Sequence, residues 1–209
     1  MAHGGRLPAD TPRRRAAAWL VVLLALAVAA PASAMRGAMT VPRNLEQLTN
    51  RASDIVRGTV VEARVEKHPE LTALDTVVVT LRVKRTLKGA AAANFTFRQY
   101  IWDARDRFDA AGYRKGQDLL LLMIAPSRHG LSSPAGMDQG RFRIVRDSSG
   151  REMAINGAGN ARLFEGLANG GERKVALTAQ QSGLVARHRG GAIAAADLEA
   201  LIRAFAGAR

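Results

Sequence analysis

Cysteine is absent from this 209-residue sequence, and aromatic residues make up only 5% of it. Without cysteine, the chain has no disulfide framework, thiolate zinc site, iron–sulfur cluster or cysteine nucleophile. Beyond the first thirty-odd positions it also lacks any run of about 18 apolar residues, which excludes a multi-span membrane protein. Hydrophobic residues nevertheless make up 47% of the chain. That fraction is enough to bury a core and excludes wholesale disorder.

The first 34 residues have the features of an export signal. Three arginines at positions 13–15 precede an uninterrupted apolar run over residues 16–30, and the small residues Ala32, Ser33 and Ala34 follow. This pattern predicts a secretory signal peptide cut after Ala34, and therefore a periplasmic or secreted protein. A retained anchor is the alternative, but 15 apolar residues are few for a bilayer, which needs about 20. We therefore expect no membrane span after cleavage.

Acidic residues are scarce relative to basic ones. After Ala34 the chain keeps 27 lysines and arginines against 17 acidic residues, a formal net charge of +10. Such a charge suits nucleic acid, anionic lipid or an acidic protein. The arginines are spread along the chain rather than clustered, however, which is typical of a solvated surface. Nucleic acid is therefore not the favoured partner.

Most of the remaining chain has the two-residue periodicity of β-strands. Val61, Ala63 and Val65 alternate with polar residues, but Val56 and Val60 stand in the opposite phase. A phase shift across Gly58 predicts a bulge or sharp bend in this first strand. Later strands are predicted at residues 77–84, 94–102 and 119–125, with a hairpin at 141–147 and 152–155.

Helical patterns flank this β region. Asn44, with Gln47 three residues later, predicts a capped short helix, and residues 198–205 repeat apolar side chains at helical spacing. We expect an N-terminal arm and short helix at 35–52, a β-barrel at 53–155, and a glycine-rich segment with a C-terminal helix at 156–209. Five to six strands, a bent first strand and a terminal helix predict a mainly β fold, a small OB-like Greek-key barrel.

Four short segments carry a family resemblance. They are residues 53–60 (SDIVRGTV), 87–89 (LKG), 113–121 (YRKGQDLLL) and 140–144 (GRFRI). In this order they resemble secreted bacterial domains related to the tissue inhibitors of metalloproteinases and the netrin module, over about residues 50–155. As a whole, the chain resembles a family of secreted bacterial proteins without an assigned activity. Inhibitors of that type bind zinc through an N-terminal cysteine, whereas this chain would begin at Met35, so the resemblance does not imply inhibition.

No motif in the sequence indicates catalysis. His68, His129 and His188 lack the spacing of a metal-binding motif. Ser132 lacks the second glycine of a nucleophile elbow, and no pair of carboxylates stands out as an acid–base couple. We therefore predict no catalytic, cofactor-binding or metal-binding residues.

One set of residues predicts a binding face. Arg98, Tyr100 and Trp102 alternate along the third strand, and Arg82 and Lys84 occupy the polar side of the second strand. These two strands form the usual binding face of an OB barrel. Aromatic residues between cations suit sugars, nucleobases or an acidic protein.

Three functions stay open on the sequence alone. The first is a non-catalytic binding module that engages a protein or an envelope polymer. The second is an assembly partner of an exported complex, acting through the arm at residues 35–43 and the helical tail. The third is a small hydrolase whose site is assembled by the fold. An exposed Trp102 favours the first function, whereas a buried Trp102 makes the face part of the core.

Overall fold

The computed structural model of the protein describes residues 41–167 and 175–207, together with Met1. From residue 41 onward these residues belong to the second of two units, Gly37–Arg209. Apart from Met1, the expected signal peptide lies outside the described residues, as do residues 35–40 of the arm. None of the helices in the described ranges has the length and apolar character that a membrane crossing needs.

Among the described residues, seven antiparallel strands form one sheet. In chain order they are β1 (Asp54–Lys67), β2 (Asp75–Lys88), β3 (Asn94–Tyr100), β4 (Asp118–Met123), β5 (Arg141–Arg146), β6 (Glu152–Asn156) and β7 (Ile193–Ala194). Their spatial order is β3-β2-β1-β4-β5-β6-β7. The mainly β class is confirmed, but the strand count is higher than expected and the ladder is open at β3 and β7. The short β7 follows a glycine pair and has only two residues, too few for an alternating pattern to reveal.

Within the described ranges three α-helices accompany the sheet: α1 (Leu45–Arg51), α2 (Ala179–Arg187) and α3 (Ala195–Ala206). The predicted capping box starts α1, because the Asn44 side chain accepts a hydrogen bond from the Gln47 backbone N–H and the Gln47 side chain accepts one from the Asn44 backbone N–H. The predicted C-terminal helix is α3, which buries Leu198, Leu201, Ile202 and Phe205.

The predicted irregularity of the first strand is present. Pairing between β1 and β2 shifts register between Arg57 and Gly58 and again between Val60 and Glu62. A Cβ atom on Gly58 would lie 2.5 Å from the carbonyl oxygen of Arg82. Glycine therefore allows β2 to approach β1 closely at this bend.

Two hydrophobic cores lie on opposite faces of the sheet. The inner core contains Val56, Val79, Leu81, Phe97 and Leu121, among others. The helix-side core contains Leu48, Ile55, Leu120, Leu201 and Phe205, among others. Strands β1 and β4 contribute to both cores because successive side chains point to opposite faces. The face of β2 and β3 opposite the inner core, which we call the outer face, carries polar side chains.

Candidate functional site

The register of β2 and β3 brings most of the predicted face together. Arg82 stands across from Asn94, Thr80 from Thr96, and Val78 from Arg98. Directly paired residues share one face of a sheet. Arg82, Arg98 and Tyr100 therefore all lie on the outer face, with the Thr80 and Thr96 hydroxyls hydrogen-bonded 3.0 Å apart between them.

Trp102 follows the end of β3 and is 63% exposed. Its ring packs edge-on against Tyr100, with centroids 4.9 Å apart and ring planes at 81°. The indole is thus oriented by a half-buried neighbour but not covered. A large aromatic surface of this kind contributes little to the core and is available to a ligand.

Arg98 has a different role from the one its position suggests. Its guanidinium lies 2.6 Å from Glu66 Oε1 and donates a hydrogen bond to the Thr76 hydroxyl at 2.9 Å. Hydrogen bonds from Arg64 and Arg98 lower the pKa of Glu66, which stays ionised. The charge of Arg98 is therefore neutralised within the fold, where it ties β3 to β1.

The two cations of β2 also differ from each other. Lys84 is the extra residue at a register shift, and its ammonium lies 2.9 Å from Asp118 Oδ2. Arg82 is exposed, and the described residues offer its side chain no ion pair. Of the three predicted cations, Arg82 is therefore the one whose charge faces solvent without a carboxylate.

A buried charged cluster surrounds Arg57, which is 3% exposed. Its guanidinium contacts Asp118 at 3.1 Å, Glu152 at 2.8 Å and Glu199 at 3.1 Å. Burial alone would lower the pKa of Arg57, but the hydrogen bonds that it donates to Glu152, Asp118 and Glu199 raise it. Sequence analysis missed this cluster because Arg57 and Glu199 are 142 residues apart, and no local pattern in the sequence pairs them.

Further ion pairs extend this cluster from Glu199. Glu199 also pairs with Arg85 at 2.9 Å and with Arg203 at 3.2 Å. The hydrogen bond from Arg57 lowers the pKa of Glu152, so this carboxyl is held ionised and is a poor general acid at neutral pH. The contacts join α3 to β1, β2 and β6.

The structure brings two of the three histidines together. The ring centroids of His68 and His129 are 6.4 Å apart, but both ring nitrogens of His68 hydrogen-bond to backbone groups. Its Nε2 donates to the His129 carbonyl at 2.8 Å, and its Nδ1 accepts from the Glu70 and Leu71 backbone N–H groups at 3.2 and 2.9 Å. Both nitrogens are thus occupied. Within the described ranges no group of three side chains could hold a metal ion.

Ser132 makes an internal contact rather than facing a base. Its hydroxyl donates to the Ile124 carbonyl at 2.7 Å, and its backbone N–H donates to the Arg98 carbonyl at 2.8 Å. No histidine hydrogen-bonds to this hydroxyl among the described contacts. The serine therefore lacks the general base that would activate it as a nucleophile.

A cavity of about 270 Å³ lies beside β3, between this strand and the chain that follows β4. The apolar residues Phe95, Phe97, Ile124 and Pro126 are among those that line it, as is Asp54. Arg98 borders both the cavity and the outer face. The cavity is open to solvent, so it is accessible to a ligand without rearrangement of the sheet.

The protein is thus an antiparallel β-sheet protein with helices on one face and, at the end of its third strand, an exposed tryptophan that packs on a half-buried tyrosine. No family model, curated protein or solved structure matches the chain.

Proposed function

We propose that this protein is an exported, non-catalytic binding module that engages a protein or an envelope polymer through the outer face of β2 and β3. The observation that carries the proposal is the exposure of Trp102 on its Tyr100 support. Exposed, pre-oriented aromatic residues supply much of the binding energy at recognition surfaces. Arg82 adds an unneutralised cation to the same face, so an acidic or hydroxyl-rich ligand is favoured.

The architecture we propose for this module is OB-like. Strand β1 pairs with both β2 and β4, as the first strand of such barrels does. Two isolated bridges, Arg98 with Leu131 and Met123 with Pro134, link the segment after β4 to β3 on one side and to β4 on the other. These bridges support a barrel closed by that segment, resembling the fold of metalloproteinase inhibitors and netrin modules, with β5–β7 added outside it.

Export is the second part of the proposal, and it rests on the leader pattern that ends at Ala34. N-terminal sequencing of material recovered from the periplasm or the medium is expected to start at Met35. Recovery of a full-length chain embedded in the membrane would overturn this part.

The proposed binding face is tested by Trp102→Ala in a capture experiment with the envelope fraction of the native cell. We expect the variant to lose capture while its melting temperature stays within a few degrees, because an exposed side chain contributes little to stability. Phe108→Ala is the matched control, since Phe108 is 92% exposed but lies on the loop after the face. Equal capture by the Trp102→Ala variant and the native protein would refute the assignment.

The assembly function is less well supported. The apolar side of α3 packs into the helix-side core, so residues 195–206 offer a partner no free apolar helix face.

A further inference from the structure

Strand β3 is an edge strand whose outward side is mostly unpaired among the described residues. It pairs with β2 along its whole length, but on its other side it makes a single bridge, between Arg98 and Leu131. The Arg98 carbonyl points outward, since it accepts from Ser132 N–H, whereas the Ala93 carbonyl points toward β2 and accepts from Val83 N–H. Because backbone groups alternate in direction along a strand, the N–H and C=O of Thr96 also point outward.

The cavity lies along this same edge. Thr96 borders it, and the apolar walls of Phe95, Phe97, Ile124 and Pro126 stand beside the outward backbone groups. Its volume of about 270 Å³ exceeds the roughly 150 Å³ that admits benzene in an engineered apolar cavity. An extended backbone on the edge could therefore place a branched or aromatic side chain in it.

The charge at the cavity is acidic. Arg98 is neutralised by Glu66, whereas the Asp54 carboxylate receives a hydrogen bond from the Ser53 hydroxyl and has no ion pair within the described chain. A cationic group brought next to Asp54 would gain a partner in a half-buried setting.

We propose that the edge of β3 binds an extended peptide segment of a partner protein by strand addition. The segment's backbone pairs with Thr96, an apolar side chain enters the cavity, and a lysine or arginine faces Asp54. Main-chain hydrogen bonds provide affinity in this mode, and pockets for alternate side chains provide specificity. The inference goes beyond the proposed binding function, because it places a partner peptide on the edge of β3 rather than on the outer face.

The test uses the full exported chain and a fluorescein-labelled octapeptide of alternating valine and lysine. Fluorescence anisotropy is expected to show saturable binding, and hydrogen exchange is expected to slow at the Thr96 amide when the peptide is bound. Thr96→Pro should weaken binding by about tenfold or more, because it removes the outward N–H without touching the β2 ladder. Thr96→Ala, which keeps that N–H, should bind within about twofold of the native chain.

Charge is tested separately. The same peptide with glutamate in place of lysine should bind at least several-fold more weakly, and Asp54→Asn should reduce this preference for lysine. Undiminished binding to the Thr96→Pro variant, or equal binding of the two peptides, overturns the proposal. If Thr96→Pro does not fold, hydrogen exchange at the Thr96 amide of the native chain tests the proposal instead. Exchange that does not slow when the peptide is added overturns the proposal.

Two further measurements distinguish a partner peptide from a second copy of the chain, and the edge of β3 from the outer face. Light scattering that shows a dimer dissociated by a Thr96 substitution would mean that a second copy occupies the edge, which overturns a partner peptide as its occupant. Trp102→Ala should leave peptide binding intact. Loss of peptide binding in Trp102→Ala, with retention in Thr96→Pro, would place the peptide on the outer face and overturn strand addition while supporting the proposed binding face.

Discussion

At the residue scale, Gly58 shows how the absence of a side chain lets two strands approach each other. A Cβ atom there would overlap the Arg82 backbone, at 2.5 Å from its carbonyl oxygen and 3.1 Å from its carbonyl carbon. We expect Gly58→Ala to lower the free energy of unfolding by about 1–3 kcal/mol, because backbone rather than a flexible side chain must move. Denaturant titration measures the change.

Gly183→Ala is the matched control for this prediction. Gly183 lies within α2, where a Cβ atom would make an ordinary contact of 3.5 Å with the Arg187 side chain. Alanine there should stabilise the protein by about 0.5–1 kcal/mol. Similar effects of the two substitutions would show that the close approach of β1 and β2 is not what requires glycine at position 58.

His188 makes the stability of the protein sensitive to pH. Burial lowers the pKa of its imidazole below the ordinary value, its Nε2 has no hydrogen-bond partner in the described structure, and its ring packs against Phe164. His188 takes up a proton more readily in the unfolded chain than in the folded one. Its contribution to the free energy of unfolding is therefore complete above about pH 6.5. It is lost as pH falls through the lowered pKa of the folded state.

The matching variant is His188→Phe, which keeps a ring against Phe164 and removes the titrating group. Unfolding measured between pH 5 and pH 8 should show the native protein losing stability relative to the variant on the acidic side. Because other titrating groups are common to both proteins, the difference between the two curves reports His188. Parallel curves across this range would contradict the assignment.

At the element scale, the attachment of α3 depends on Glu199. This carboxylate is buried and receives hydrogen bonds from Arg57 on β1 and Arg85 on β2. Glu199→Ala removes a carboxylate that balances the buried charge of the Arg57 guanidinium. We therefore expect this substitution to lower the free energy of unfolding by about 3–5 kcal/mol. Asp197→Ala, on the first turn of the same helix, should cost no more than about 1 kcal/mol. Equal losses would mean that Glu199 acts only through helix formation.

The elements that could be predicted from the sequence are those in which apolar and polar residues repeat with the period of a strand or a helix. Val77, Val79 and Leu81 alternate because one face of β2 is buried, and the resulting pattern is readable without the fold. Helix α2 was not predicted, since Gly183 and its polar neighbours show little helical periodicity. The open ladder and the added strand β7 depend on distant pairing and left no local signal.

The candidate site was predictable to a similar extent. Alternation placed Arg98 and Tyr100 on one side of β3, and the register puts them on the outer face with Arg82. The charge of Arg98 is neutralised by Glu66, which lies two strands away on β1. The local pattern of β3 does not show this ion pair. The cavity joins β1, β3 and the chain after β4, and no window of sequence contains all three.

At the scale of the whole molecule, two cores share the strands between them. Leu81 lies in the inner core and Leu201 in the helix-side core, and both are fully buried. Leu81→Ala and Leu201→Ala should each lower the free energy of unfolding by about 2–5 kcal/mol. Because β1 and β4 line both cores, we expect each variant to unfold in a single transition that is common to all probes.

Hydrogen exchange at amides of β2 and α3 tests this cooperativity. Both sets should shift together in either variant, and the double variant should show the sum of the single losses to within about 0.5 kcal/mol. Early exchange of β2 in Leu81→Ala, with α3 still protected, would instead divide the molecule into independently unfolding parts.

The distance in sequence between Arg57 and Glu199 also fixes a delay during biosynthesis. Ribosomes add about 5–20 residues per second, so the 142 residues that separate the pair take roughly 7–28 s to synthesise. Throughout that interval the nascent chain carries Arg57 without its most buried carboxylate, and Ile55, Leu120 and Leu122 without the cover of α3. Native packing is therefore completed only after α3 has left the ribosome.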